Sequence, residues 1–215
     1  MPRMLHAISS INRNSWLPQT RSLSHDSQAR RPRRNSYPEF VFSAPEIYLS
    51  QRRALGFDRV NYGVGGIELF NPDSIAECQL GYAVAPDGKS LRSDAPGGWH
   101  SDWLVIGHET SCGDPIFMSQ QAPHPVNTAM HGMGTWEAMP VAPTLESFWK
   151  CLALFKHFSR GRENPVDRDT NPPDDEEIER YLTEILDLCH GDEEAAAFWS
   201  VQAEIGMSES SDAEP

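Results

Sequence analysis

A cysteine and two histidines are the residues of this sequence that come nearest to a catalytic set. Cys112 lies in a glycine-containing segment four residues after His108, and His131 follows 19 residues later. A thiol beside an imidazole is the arrangement of a cysteine hydrolase, in which the histidine takes the thiol proton and the thiolate attacks the substrate. Such pairs meet in the fold rather than along the chain, so spacing alone does not establish one. A hydrolase using Cys112 with either histidine is therefore an alternative hypothesis.

Four histidines near the middle of the chain raise the question of a metal site. They are His100, His108, His124 and His131. Two imidazoles on one helix or strand reach the same ion only at particular spacings, and no pair here has the i, i+4 or the alternate-residue spacing. The aspartates and glutamates that could complete a ligand set are scattered along the chain. We therefore predict neither a metal nor a cofactor.

The four cysteines argue against a zinc ribbon or a disulfide scaffold. Cys78, Cys112, Cys151 and Cys189 follow one another at intervals of 34 to 39 residues and form no CxxC pair. Zinc sites and compact disulfide frameworks use closer spacing. Because Cys151 and Cys189 belong to apolar helical stretches, we expect them to be reduced thiols buried in the core.

Aromatic and charged residues at the ends of predicted strands favour a partner-binding surface. A tryptophan offers a large apolar area with little rotamer entropy to lose, and nearby carboxylates orient a charged partner. The candidate partner-binding residues are Trp99, Asp102, Trp103, Glu109, Asp114, His131, Trp136 and Glu137. For Trp103 and Trp136, both core and contact roles are open. Asp114 is first interpreted as a turn residue, because its carboxylate can accept amides of its own loop. The expected exposed patch consists of Trp99, Asp102, Glu109 and Glu137.

The elements that must position these residues begin with three short apolar runs. Residues 103–106, 115–118 and 126–130 are each bounded by Gly, Pro, Asp or Asn within a few positions. This pattern is typical of consecutive strands in a meandering sheet. We expect about four to six strands, mostly antiparallel, between Ile67 and Met139.

Two helices are predicted to pack on this sheet. Residues 145–158 carry apolar side chains at spacings of three and four, with Thr144 as the N-cap. Residues 43–55 begin with Ser43 and Glu46 at the spacing of a capping box. The predicted fold is therefore α+β, with a C-terminal helical hairpin in addition.

Composition divides the chain into five segments. Residues 1–36 are rich in Arg, Ser and Asn and are predicted to be a disordered basic tail, whereas 37–158 form the α+β domain. A polar linker over 159–173 leads to an acidic helical extension at 174–206. The last residues, 207–215, are expected to form a disordered tail.

The net charge of −13 limits the classes of partner. An acidic protein repels phosphates, so we expect no nucleic-acid ligand. Complementary charge favours a basic protein instead, because it raises the association rate. No apolar run approaches 18 residues and the opening residues lack the apolar core of a signal peptide. We expect a cytoplasmic protein with no membrane partner.

Five short motifs in a fixed order resemble the SUKH superfamily, also known as the Smi/Knr-type domain. Between Tyr37 and Phe158 the sequence presents Gly65-Gly66 followed by Ile67 to Phe70, Trp103 to Gly107, Gly113 to Phe117, His131 to Trp136, and Leu145 to Leu154. The resemblance implies a sheet with packed helices, no catalysis and, in bacteria, an immunity protein that neutralises a secreted toxin.

On this resemblance we expect a non-catalytic protein that binds one cognate toxin domain. The toxin is expected to be basic and to act on nucleic acid or nucleotides, since many toxins of that kind are basic. Two alternatives stay open beside it. One is the cysteine hydrolase described above, and the other is an interaction scaffold of the same family that has no toxin partner.

Overall fold

Residues 44–205, the part of the chain that the computed structural model describes, contain six strands and five α-helices. They confirm the predicted α+β class and the antiparallel sheet. Ser43, with its proposed capping box, and the tails predicted at 1–36 and 207–215 lie outside the described residues.

The strands pair in chain order, each antiparallel to the next, so the sheet is a meander. The three apolar runs of the sequence are confirmed as β3, β4 and β5. The strands are β1 Arg59–Tyr62, β2 Gly65–Leu69, β3 Trp103–Glu109, β4 Pro115–Ser119, β5 Val126–Thr128 and β6 Met139–Ala142. Strand β1 lies before the predicted interval. It alternates exposed and buried side chains over only four residues, which is a weak pattern in a sequence.

The hairpin between β1 and β2 depends on a glycine. Gly66 has a φ of 153°, and a Cβ at this position would collide with the carbonyl oxygen of Val60 on the paired strand. Only glycine accepts both the dihedral angle and the close approach of the two backbones. The glycine at position 66 is thus explained by strand pairing.

Five α-helices are present in the described part of the chain. In order they are α1 Glu46–Ala54, α2 Leu145–Phe158, α3 Pro165–Thr170, α4 Asp175–Leu188 and α5 Glu193–Gln202. Helix α2 has the predicted bounds, and Thr144 Oγ1 accepts the amide of Ser147 at 3.0 Å. Within residues 44–205, no helix combines the length and the apolar composition needed to cross a membrane.

The main core lies between one face of the sheet and the helices. Alternate residues of β3 and β4 point into it, because successive side chains of a strand face opposite sides. The predicted burial of Phe148, Trp149 and Leu152 is confirmed. The largest side chains of this core with no exposed surface are Tyr48, Ile67, Leu104, Ile106, Ile116, Met118, Phe148, Phe155 and Trp199.

The C-terminal helices contribute to this same core. Trp199 of α5 has no exposed surface, and its Nε1 donates to the carbonyl of Val141 in β6 at 2.9 Å. Tyr181 of α4 is buried and donates from its hydroxyl to the Trp199 carbonyl at 3.2 Å. Helices α4 and α5 are present where the sequence predicts them, while their description as a hairpin extension stays a prediction.

The interval 159–173, predicted as a linker, carries structure that the polar composition does not reveal. It contains α3 and the buried Arg162, whose guanidinium forms two 2.7 Å bonds to the carboxylate of Glu177. The same side chain donates to the carbonyls of Phe158 and Asn171, each at 2.7 Å. This polar interval packs on the domain because Arg162 donates hydrogen bonds to the backbone carbonyls of the chain that turns around it.

Candidate partner-binding site

Strand β3 separates the predicted contact residues into two groups. Asp102 precedes the strand and Glu109 ends it. Seven residues of extended chain span about 23 Å at the usual rise per residue. The predicted patch that joins Asp102 with Glu109 is therefore wrong as a single surface. The two acidic residues lie at opposite ends of the sheet.

Trp99, predicted to be exposed, is instead the centre of a second core on the other face of the sheet. It is 1% exposed, and its ring centroid lies 5.0–5.3 Å from those of Tyr82, Trp103, Phe117 and Trp136. That face carries Val105 and Phe117, which need an apolar cover. The surrounding loops provide this apolar cover by placing Trp99 over the face. Trp103 and Trp136 lie half-buried over this cluster.

The loop that carries Trp99 is fixed to β3 by a residue that sequence reasoning missed. Gln79 is fully buried, donates from Nε2 to the Val105 carbonyl at 2.9 Å and accepts the Val105 amide at 3.0 Å. Its amide side chain therefore pairs with the backbone of β3 as a neighbouring strand would. A lone glutamine at the end of a short 3-10 helix gives no sequence signal for this role.

Asp102 lies between a serine and a histidine at one end of the sheet. Its Oδ2 accepts the Ser119 hydroxyl at 2.5 Å, its Oδ1 contacts His100 Nδ1, and its side chain is 17% exposed. In a Ser-His-Asp triad the imidazole is the central member, because it takes the proton from the nucleophile. Here the carboxylate is central. The arrangement orients His100 and joins two loops, but it does not activate Ser119.

Glu109 supports the turn between β3 and β4 at the opposite end. It is 6% exposed, and its carboxylate accepts the amides of Ser111 at 2.8 Å, Cys112 at 2.6 Å and Asp114 at 3.0 Å. Its predicted exposure is wrong, because three orphan amides of the turn draw the carboxylate inward. The role predicted for Asp114, accepting the backbone amides of this turn, therefore belongs to Glu109.

Asp114 joins this turn to the loop that follows β5. Its Oδ1 accepts the backbone amide of His131 at 2.8 Å and lies 2.7 Å from the imidazole Nδ1 of the same residue. Half of the His131 side chain is exposed, whereas the Asp114 side chain is 20% exposed. Glu137, the last member of the predicted set, is exposed on the loop before β6. The structure therefore brings together Glu109, Asp114 and His131, but not the whole set.

Replacing Glu109 with glutamine is expected to lower the free energy of unfolding by about 2 kcal/mol. Glutamine keeps the shape but offers one acceptor oxygen to three amides, and its NH₂ group faces donors. Urea denaturation followed by tryptophan fluorescence measures the change. Glu137→Gln, the same substitution at an exposed position, serves as the control and should alter stability by less than about 0.5 kcal/mol. Equal effects of the two substitutions would contradict the structural role.

The cysteine hydrolase hypothesis receives no supporting contact within residues 44–205. Cys112 is exposed, and no hydrogen bond there joins its Sγ to an imidazole. His108 packs against Phe70 with ring centroids 5.6 Å apart, and His131 is held by Asp114. In the same range, no group of three or more His, Cys, Asp or Glu side chains could hold a metal ion.

The predicted burial of Cys151 and Cys189 is confirmed. A hydrogen bond with Cys189, together with burial, raises the pKa of the Cys151 thiol, so this side chain stays protonated near neutral pH. A protonated buried thiol is neither a nucleophile nor a metal ligand. Cys151 therefore acts as a small core residue, and Cys189 is buried in the same core.

A cleft of about 250 Å³ opens beside the Glu109 turn, beneath the end of α5. Glu109, Cys112 and Asp114 line one side, and residues absent from the predicted set line the rest. Sequence reasoning misses them because the cleft forms only where α5, which is distant in the chain, meets the sheet and the Glu109 turn. The missed lining residues are Gly65, Ser111, Thr128, Met139, Phe198, Val201, Gln202 and Glu204.

Acidic residues dominate the surface of the C-terminal helices. Residues 163–205 contain 14 acidic and two basic residues. Asp174 and Asp192 accept amides at the starts of α4 and α5, where negative charge also favours the helix macrodipole. Most of the others have no such role and give this side of the molecule a negative potential. Exposed examples are Glu179, Glu184, Asp187, Glu193 and Glu194.

Comparison of the chain with models of known families, with curated proteins and with solved structures gives no match. The resemblance to the SUKH superfamily therefore rests on the five ordered motifs quoted from the sequence, and no family is assigned to the chain.

Proposed function

We propose that this chain is a non-catalytic immunity protein of the cytoplasm that binds and neutralises a basic protein toxin. The observation that carries the proposal is the acidic surface of the C-terminal helices, with 14 acidic residues against two basic ones between positions 163 and 205. The order of the SUKH-like motifs supports the toxin as the kind of partner. A toxin that acts on nucleic acid or nucleotides needs positive charge to hold phosphate, which matches this surface.

The physical basis of the proposal is electrostatic steering. Opposite charge on two surfaces raises the rate at which they meet in a productive orientation, and the effect weakens as salt is added. An inhibitor benefits from a fast encounter because it must reach the toxin before the toxin reaches its substrate. Rigid helices present the charge, since α4 and α5 are joined to the core through Tyr181 and Trp199.

Reversing two charges on α4 is expected to slow association with the toxin about tenfold at low ionic strength. Glu179 and Glu184 line one shallow groove on α4, so Glu179→Lys with Glu184→Lys removes a local concentration of charge. Stopped-flow association with the purified product of the neighbouring gene, as the proposed toxin, measures the rate. The control, Glu77→Lys with Glu137→Lys, changes net charge equally at exposed positions outside the C-terminal helices. Equal slowing by both pairs would contradict a specific acidic surface.

Co-expression tests the function itself. Cells that express the product of the neighbouring gene, the proposed toxin, should grow only when this protein is present, and Cys112→Ala should protect as well as the unaltered chain. Toxicity that persists with the folded protein present would refute the immunity proposal. Loss of protection in Cys112→Ala, with an unchanged melting temperature, would favour the hydrolase.

A further inference from the structure

The cleft beneath the end of α5 is acidic and contains no basic residue in its lining. Three carboxylates border it. Glu109 accepts turn amides, Asp114 holds His131, and Glu204 lies 3.0 Å from the guanidinium of Arg168, which stands outside the lining. The cleft also lies at the C-terminal end of α5, where the helix macrodipole is negative. Its electrostatic character therefore favours a cation.

An unsatisfied hydroxyl provides an independent sign of a ligand. Thr128 lines the cleft and is 6% exposed, and its Oγ1 has no hydrogen-bond partner in the described part of the chain. Buried hydroxyls are normally paired, because burial removes the bonds that they make with water. A ligand group that donates a hydrogen bond at this point would satisfy Oγ1.

The remaining wall of the cleft is apolar and adaptable. Phe198 and Val201 contribute from α5, and Met139 contributes from β6. Met139 is the cross-strand partner of Thr128 and is 37% exposed. Since methionine is unbranched and flexible, it can turn aside and open the path to the hydroxyl. An occupant would place methylene groups along this wall.

We propose that the cleft receives a lysine side chain of the protein partner. The four methylenes pack against Met139, Phe198 and Val201, while the ammonium donates to Thr128 Oγ1 and faces the carboxylates of Asp114 and Glu204. Lysine fits because it joins an apolar stem to a compact donor of positive charge. That the lysine comes from a basic toxin rests on the proposed function. That the cleft binds a lysine side chain rests on the cleft alone and is independent of that function.

A matched pair of small probes tests the cleft in the isolated full-length protein. Nα-acetyl-lysine methylamide should shift the methyl resonances of Thr128, Met139 and Val201. The shifts should reach a plateau at millimolar concentrations of the probe. Nα-acetyl-norleucine methylamide has the same stem without the ammonium and should bind about tenfold more weakly, as expected on losing a hydrogen bond to a charged group. Absent shifts at these methyls, or equal shifts with both probes, would overturn the proposal.

Thr128→Val removes the hydroxyl with little change of shape. Binding of the lysine probe should weaken about tenfold. The fold should persist, because the hydroxyl has no partner to lose. Thr135→Val, at an exposed threonine outside both the cleft and the C-terminal helices, is the matched control and should leave binding unchanged. Equal affinity of Thr128→Val and the unaltered protein would exclude Oγ1 as the acceptor and overturn the proposal.

The two proposals fail in different ways. If the lysine probe leaves the methyls unshifted while the protein protects cells from the toxin, the cleft proposal falls and the immunity function stands. If the probe binds at the cleft while no toxin is neutralised, the cleft proposal stands and the partner must be sought elsewhere.

Discussion

Replacing Trp199 with alanine is expected to lower the free energy of unfolding by about 3–5 kcal/mol, within the range of large core truncations. The indole has no exposed surface and contacts the rings of Phe148, Phe155 and Phe198. Its Nε1 is also the donor to the Val141 carbonyl at 2.9 Å. The substitution therefore leaves a cavity in the main core and removes a hydrogen bond from a buried carbonyl.

Urea denaturation followed by far-UV circular dichroism measures the loss. Val201→Ala is the control on the same helix, because Val201 is 67% exposed, and it should cost less than about 0.5 kcal/mol. A loss below about 1 kcal/mol for Trp199→Ala would show that α5 is not part of the core. A loss near the expected value with a single transition would show that α5 unfolds together with the sheet.

Arg162→Met is expected to destabilise the fold by about 3–5 kcal/mol, the usual cost of breaking a buried ion pair from one side. The Arg162 side chain is 7% exposed and forms two bonds to Glu177, and it also donates to two backbone carbonyls. Methionine fills part of the volume but satisfies none of these acceptors. The carboxylate of Glu177, which is 28% exposed, would lose its cation.

A double-mutant cycle separates the ion pair from the carbonyl bonds. Glu177→Gln should cost less than Arg162→Met, because the arginine keeps its two backbone acceptors. In the double mutant the combined loss should be smaller than the sum of the single losses, since the two residues share one interaction. Additive losses in urea denaturation would contradict a direct coupling between Arg162 and Glu177.

Local patterns in the sequence determine much of the observed fold. Helix α2 follows from its apolar spacing and the Thr144 cap, both of which act within a few residues. Strands β3 and β4 follow from apolar runs that have Gly, Pro or Asp within a few residues of their ends. Their antiparallel order is the simplest pairing for consecutive strands.

The candidate site could not be predicted in the same way, because burial depends on distant contacts. Trp99 follows two glycines in a polar stretch, and its burial requires Tyr82 and Trp136, which converge on it only in the fold. Glu109 looks like an exposed strand-end carboxylate until the turn amides surround it. The cleft requires α5 to lie beside the Glu109 turn, nearly 90 residues away in the chain.

The position of Trp199 also affects how any partner can bind. Strand β6 is an edge of the sheet, and edge strands can accept a strand from another chain through their free backbone groups. Here Pro140 has no amide hydrogen to offer, and the neighbouring Val141 carbonyl is occupied by the indole of Trp199. Intermolecular strand addition, and the aggregation that begins with it, is therefore disfavoured at this edge. Recognition there must proceed through side chains.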